Sequence, residues 1–140
     1  ELEDHFEKFR MSDALMTVYK LIWDDYCSWY LEMIKPAYQA PIDRATYDAT
    51  IRLFEDLMKV LHPFMPFLTE ELWHAMKERS DKDCIIVAEW PEKKPFDMEL
   101  LEQASWAFEA VGQCRNTRNA KGLSPKEALE LLINTQKKEL

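Results

Sequence analysis

Glycine is almost missing: Gly112 and Gly122 are the only two in 140 residues. A glycine-rich loop that wraps phosphates with backbone N–H groups therefore has no material to form from. Histidine is scarce as well, with three residues, and no Cys or His pair stands at ligand spacing, so no structural zinc and no other metal is expected. Cys27, Cys84 and Cys114 lie far apart in apolar surroundings. That is not a disulfide framework for a chain of this length, and a reducing cytoplasm is the expected setting. An excess of basic residues is lacking too: 18 Lys and Arg against 26 Asp and Glu leave a net charge of −8. Non-specific nucleic-acid affinity comes from neutralising phosphates, so any RNA contact has to come from local basic patches. No apolar run approaches the ~20 residues needed to span a bilayer, which predicts a soluble chain with no membrane partner. No signal-peptide pattern appears, and the opening ELEDHFEKF starts mid-pattern without Met, as expected of a piece of a longer protein.

What is present is apolar and aromatic. With 47% apolar and 12% aromatic residues, and seven prolines against two glycines, the composition predicts one folded domain of helices joined at proline-marked corners. The sharpest corner is residues 61–76, LHPFMPFLTEELWHAM. Pro63 and Pro66 cannot both sit inside one helix, because each removes a donor and clashes with the preceding turn. One helix must stop near Leu61 and another start near Pro66, with Leu68, Leu72 and Met76 repeating every four residues and Phe64, Phe67 and Trp73 plugging the corner.

Leu2, Phe6 and Phe9 mark the end of a first helix. Ser12 and Asp13 are capping types for a second, whose stripe Leu15, Val18, Ile22, Tyr26, Trp29 and Met33 runs to Lys35 and stops at Pro36. The aromatic run Trp23, Tyr26, Trp29 and Tyr30 is assigned to the core. Asp43 caps a third helix with the seam Tyr47, Ile51, Phe54, Met58 and Leu61. The helix from Pro66 runs to about Arg79. The β-branched run CIIVA, residues 84–88, predicts a short strand or extended segment. Asp97 caps a last long helix running to about Lys121, with Gly122 as its left-handed stop. Residues 127–134, EALELLIN, are helical by propensity alone. The division expected is 1–80 as a helical bundle and 81–140 as strand, long helix and the start of an extension of the same domain.

Candidate contacts are few. The last helix turns its apolar stripe into Arg115 and Arg118, flanked by Asn116, Asn119 and Lys121, which fits an RNA-backbone contact, a salt-bridged joint with a neighbouring domain, or plain neutralisation of a helix C-terminus. Lys8, Phe9 and Arg10 at the first corner could meet an unstacked base; the alternative is Phe9 in the core with two solvated cations, and the same choice holds for Arg44 at the next corner. His62 and His74 lack a nucleophile at fixed spacing and read as structural. Adjacent carboxylates, such as Asp24 and Asp25 or Glu70 and Glu71, point to different sides of a helix and form no catalytic dyad.

HPFMPFLTEELW, together with IWDDYCSWYLEMIKP at residues 22–36, resembles the anticodon-binding domain of class I aminoacyl-tRNA synthetases of the valine, isoleucine and leucine subgroup, most of all its valine-specific branch. The resemblance covers nearly the whole chain. It implies a mainly α fold, an antiparallel helical bundle with a small partial α+β extension at the C-terminal end, and so favours a strand over residues 127–134. It implies binding of tRNA(Val) by this domain at one end of the bundle, which raises Lys8, Arg10 and Arg44 as contacts. ATP and possibly Mg would serve a parent enzyme, monomeric and cytoplasmic, whose catalytic and editing domains adjoin this one. The HIGH-type and KMSKS-type signatures of that chemistry are missing from these residues, so no catalytic residue is assigned. The competing expectation is a helical protein–protein interaction module without RNA binding, favoured by the acidic balance.

Overall fold

A computed structural model describes residues 1–124, 126–128 and 130. The chain forms two compact units, Glu1–Glu92 and a second that begins at Lys93. Both are helical, and among the described residues there is no strand.

In the first unit α1 (Leu2–Glu7) gives way at once to α2 (Met11–Lys20). Phe9 adopts a left-handed φ of 55° and the Arg10 amide donates to the His5 carbonyl, a turn tight enough for the new helix to start at Met11. Ser12 and Asp13 therefore lie inside the first turn rather than capping it, and no side-chain cap is made there.

The helix continues without a break through a π-helical stretch, Leu21–Tyr30, into a final α turn, α3 (Leu31–Met33). Because i→i+5 bonding widens the turn, residues four apart share one face. Ile22, Tyr26 and Tyr30 pack on the core, while Trp23 is swung out and 58% exposed. Trp23 is thus not the core residue its spacing predicts. Leu15 and Met33 are exposed as well and drop out of the expected stripe, and Ala14 and Leu31 take up packing positions.

After a loop, α4 (Arg44–Leu61) returns antiparallel, capped as expected by Asp43, whose carboxylate accepts the Thr46 amide at 2.9 Å. Tyr26 donates its hydroxyl to the Thr50 carbonyl, Tyr30 meets the Thr50 hydroxyl, and the Tyr26 ring stacks on Phe54. Burial, then the neighbouring Tyr30, pushes the Tyr26 hydroxyl up to about 12, so it stays a neutral donor.

The proline corner forms where expected. Pro66 occupies the first turn of α5 (Pro66–Met76). Thr69, fully buried, donates to the Met65 carbonyl and pairs with His62 Nδ1 at 2.7 Å, which makes His62 the polar bolt of the corner. Trp73 is buried and Phe64 stacks on Phe6 at 6.0 Å, but Phe67 is 90% exposed and is not part of the plug. Leu68 is likewise on the outside of its helix. The helix ends at Met76, short of Arg79, because the chain turns extended at Lys77 to bring Lys77 and Arg79 onto Glu55.

The expected strand at residues 84–88 is instead a single 3-10 turn, Ile85–Val87. Among the described residues its β-branched side chains have no neighbouring strand to pair with. Ile85 is buried in the core while Ile86 and Val87 face solvent. In the second unit α6 (Met98–Lys121) is capped by Asp97 and stopped by left-handed Gly122, both as the sequence predicts. The strand expected over residues 127–134 lies largely outside the described residues.

Candidate RNA-binding surface

At the α1–α2 corner, Asp4 holds both Lys8 and Arg10 through ion pairs, and Arg10 also approaches Asp13 at 3.9 Å. The Lys8 hydrogen bond, with help from Arg10, keeps the Asp4 carboxyl below its ordinary value. Between the two cations Phe9 projects into solvent, 87% exposed. The alternative of Phe9 as a core residue does not hold, because its left-handed backbone turns the ring away from the helices on either side. An exposed ring flanked by two cations matches what an unstacked base and its phosphates need.

Arg44 sits elsewhere. It opens α4, pairs with Asp48 at 2.9 Å and lies 6.0 Å from the Tyr47 ring. The rod formed by α2, the π stretch and α3 is roughly 30 Å long at 1.5 Å per residue. Lys8 and Arg10 lie at its start, and Arg44 follows the loop after its end. The structure gathers the first pair and keeps Arg44 apart from it.

In the second unit Arg115, Asn116, Asn119 and Lys121 are exposed on the last turns of α6. Arg118 points its fork at the chain that follows, donating to the Ser124 carbonyl at 2.7 Å and the Glu127 carbonyl at 2.8 Å. Its guanidinium closes the helix end alongside Gly122.

Two groupings escape a reading of the sequence alone. Tyr19 and Trp23, four residues apart, stack at 6.3 Å and both remain about half exposed, a pair that assigning Trp23 to the core hides. Glu70, His74 and Cys84 converge with their ligand-capable atoms all within 4.8 Å of one another. The signal for the first two is their four-residue spacing on α5; nothing local foretells Cys84. Burial, then Glu70, pushes the Cys84 thiol above its ordinary value, the reverse of what a nucleophile requires. Gly112 lies within α6 and Gly122 ends it.

Residues 1–133 match the family described as the anticodon-binding domain of tRNA ligase. The chain is 48% identical over 133 residues to the valine–tRNA ligase of Christiangramia forsetii and 50% identical over 133 residues to that of Parabacteroides distasonis, each match covering 95% of this chain and 15% of the relative. It is 30% identical over 141 residues to the valine–tRNA ligase of Thermosynechococcus vestitus, covering 97% of this chain and 15% of that protein. The chain thus spans about 15% of the length of these relatives. The family match runs through both compact units, residues 1–133 of 140, and the chain belongs to the family of tRNA-ligase anticodon-binding domains.

Proposed function

We propose that this chain is the anticodon-binding part of a valine–tRNA ligase and that its ligand is tRNA(Val). The observation that carries the reading is a family match running unbroken over residues 1–133 together with relatives at 48% and 50% identity, all of them valine–tRNA ligases. The parent's reaction would be ATP-dependent ligation of valine to its tRNA, in a cytoplasmic, monomeric enzyme whose catalytic and editing domains lie in the same chain. ATP and Mg²⁺ belong to that catalytic part.

The domain's share is binding. Energy collected at the anticodon, far from the reacting atoms, is used to orient the acceptor end, so the domain acts on rate as well as affinity. In a single-stranded loop the bases are held by stacking and by hydrogen bonds to their edges, and cations fix the backbone. Phe9, with Lys8 and Arg10, supplies both kinds of contact at one corner; Arg44, and Arg115, Asn116, Asn119 and Lys121, are further contacts. Arg118 serves in holding the end of α6.

The rival, a protein-interaction module, draws on the exposed Tyr19–Trp23 pair. Competition binding decides between them: unlabelled tRNA(Val) should displace labelled tRNA(Val) at lower concentration than a tRNA(Val) with an altered anticodon. Equal displacement would favour the rival. Phe9→Ala is expected to weaken tRNA binding by about 1–3 kcal/mol, the worth of one stacked base.

A further inference from the structure

One cluster of the first unit uses none of the residues assigned to RNA. On α5, Glu70 and His74 stand one turn apart, so carboxylate and imidazole share a face, with His74 Nε2 3.1 Å from Glu70 Oε1. Cys84 reaches the same point because its segment is fixed on both sides. Trp73 Nε1 donates to the Asp83 carbonyl at 3.0 Å, and the Ile85 amide donates to both Glu70 oxygens at 3.2 Å. The buried Ile85 side chain then anchors the turn in the core.

We propose that Glu70, His74 and Cys84 form a three-ligand site for a zinc-type divalent cation, with water in the fourth position. One hard oxygen, one imidazole and one thiol form a donor set that selects Zn²⁺ over Mg²⁺ or Ca²⁺, which take oxygen ligands. Zinc bonds of ~2.0–2.3 Å place tetrahedral ligand atoms roughly 3.3–3.7 Å apart. The atoms here all lie within 4.8 Å of one another, so small side-chain rotations close the site. Its ligands come from a helix face and a loop pinned at two backbone points. The Ile85 amide remains on the carboxylate as the outer hydrogen bond that orients a metal-bound ligand. On binding, the Zn–S bond forms as the Cys84 S–H bond breaks and its proton leaves to solvent. The contact of the Cys84 thiol with the Asp81 carbonyl, 3.2 Å, is given up in exchange. A coordinating thiol is deprotonated by the cation's own charge.

Without a cation the same contacts make only a helical Glu–His pair and a loop latch, and the experiment separates the two. In the Cys27→Ser/Cys114→Ser chain, Cys84 is the single thiol, and its rate of reaction with a chromogenic aromatic disulfide reports its state. One equivalent of Zn²⁺ is expected to slow that reaction at least about tenfold, reversibly with a chelator and without effect from Mg²⁺. His74→Gln, which keeps the helix and a hydrogen-bonding partner for Glu70, should abolish the protection. Cobalt(II) added in place of zinc should give a thiolate-to-metal absorption band that Cys84→Ser loses. An unchanged rate with zinc, or equal protection in the His74→Gln chain, overturns the proposal.

Discussion

Among single residues, Glu55 is a charged group that the fold buries. It is 9% exposed, lies in the middle of α4, and receives Lys77 and Arg79 from the chain beyond α5. Arg79 also donates to the Trp73 carbonyl and lies over the Trp73 indole at 3.8 Å, with Lys59 on the same ring at 5.9 Å. Removing Arg79 takes the more deeply set of the two cations on Glu55 and leaves it Lys77 alone, so Arg79→Ala should cost about 1.5–3 kcal/mol in urea unfolding, the worth of hydrogen bonds to a charged group. Arg79→Lys should recover little of it, since an ammonium lacks the planar fork that reaches both Glu55 and Trp73. Burial pushes the Glu55 carboxyl up, but the hydrogen bonds from Lys77 and Arg79 outweigh it and hold the group below its usual 4.5. A lowered folded pKa means the contribution is whole above 4.5 and is lost as pH falls through the folded value. Unfolding midpoints followed against pH should therefore drop below about pH 4.5 in the parent chain, and drop less in Glu55→Gln, which starts weaker. An equal acid slope in both would remove Glu55 as the cause. None of this network is legible in the sequence, because it joins three segments and the spacing of charges along a chain says nothing about which of them meet.

Elements are legible where their signals are local. Asp43, Asp97 and Gly122 are read correctly because a cap or a stop acts on amides and carbonyls two to four residues away. Ser12 and Asp13 mislead because the α1–α2 turn, not a side chain, sets where α2 starts. Trp23 misleads for another reason: the π register is imposed by Tyr26 and Tyr30 packing on Thr50 and Phe54, a tertiary demand that widens the turn locally. The CIIVA run shows β-propensity without a partner, and Glu70 ties it down as a turn. The Asp97 cap gives the test at this scale. Its carboxylate accepts both the Glu99 and Leu100 amides, so two of the helix's first donors depend on one side chain. Asp97→Ala should cost about 1 kcal/mol of local stability, seen as faster amide exchange over the first turn of α6, whereas Asp97→Ser should restore most of it. Exchange unchanged in the alanine variant would mean that the following backbone, not the cap, holds the turn.

For the whole chain the question is how a molecule of net charge −8 holds a polyanion. Most cations of the first unit are already committed: Lys35 to Glu32, Arg44 to Asp48, Lys59 to Asp56, Lys77 and Arg79 to Glu55, and Lys8 and Arg10 jointly to Asp4. Affinity from phosphate neutralisation must therefore be small and set by which pairs can be released. Asp4 is the lever, because one carboxylate restrains two cations beside the exposed Phe9 ring. Asp4→Asn should tighten tRNA(Val) binding and steepen the fall of log K with log salt by up to about 0.7–0.9 for each additional phosphate neutralised. Arg44→Ala probes the other end of a rod roughly 30 Å long, too far to share one unstacked base with Phe9. If the Phe9 corner carries the anticodon loop, Asp4→Asn steepens the salt slope, while Arg44→Ala removes a single contact and lowers the slope by no more than about 0.9. An unchanged slope in Asp4→Asn beside a larger fall in Arg44→Ala would move the loop to the α4 end and leave Phe9 as an exposed ring with no part in binding.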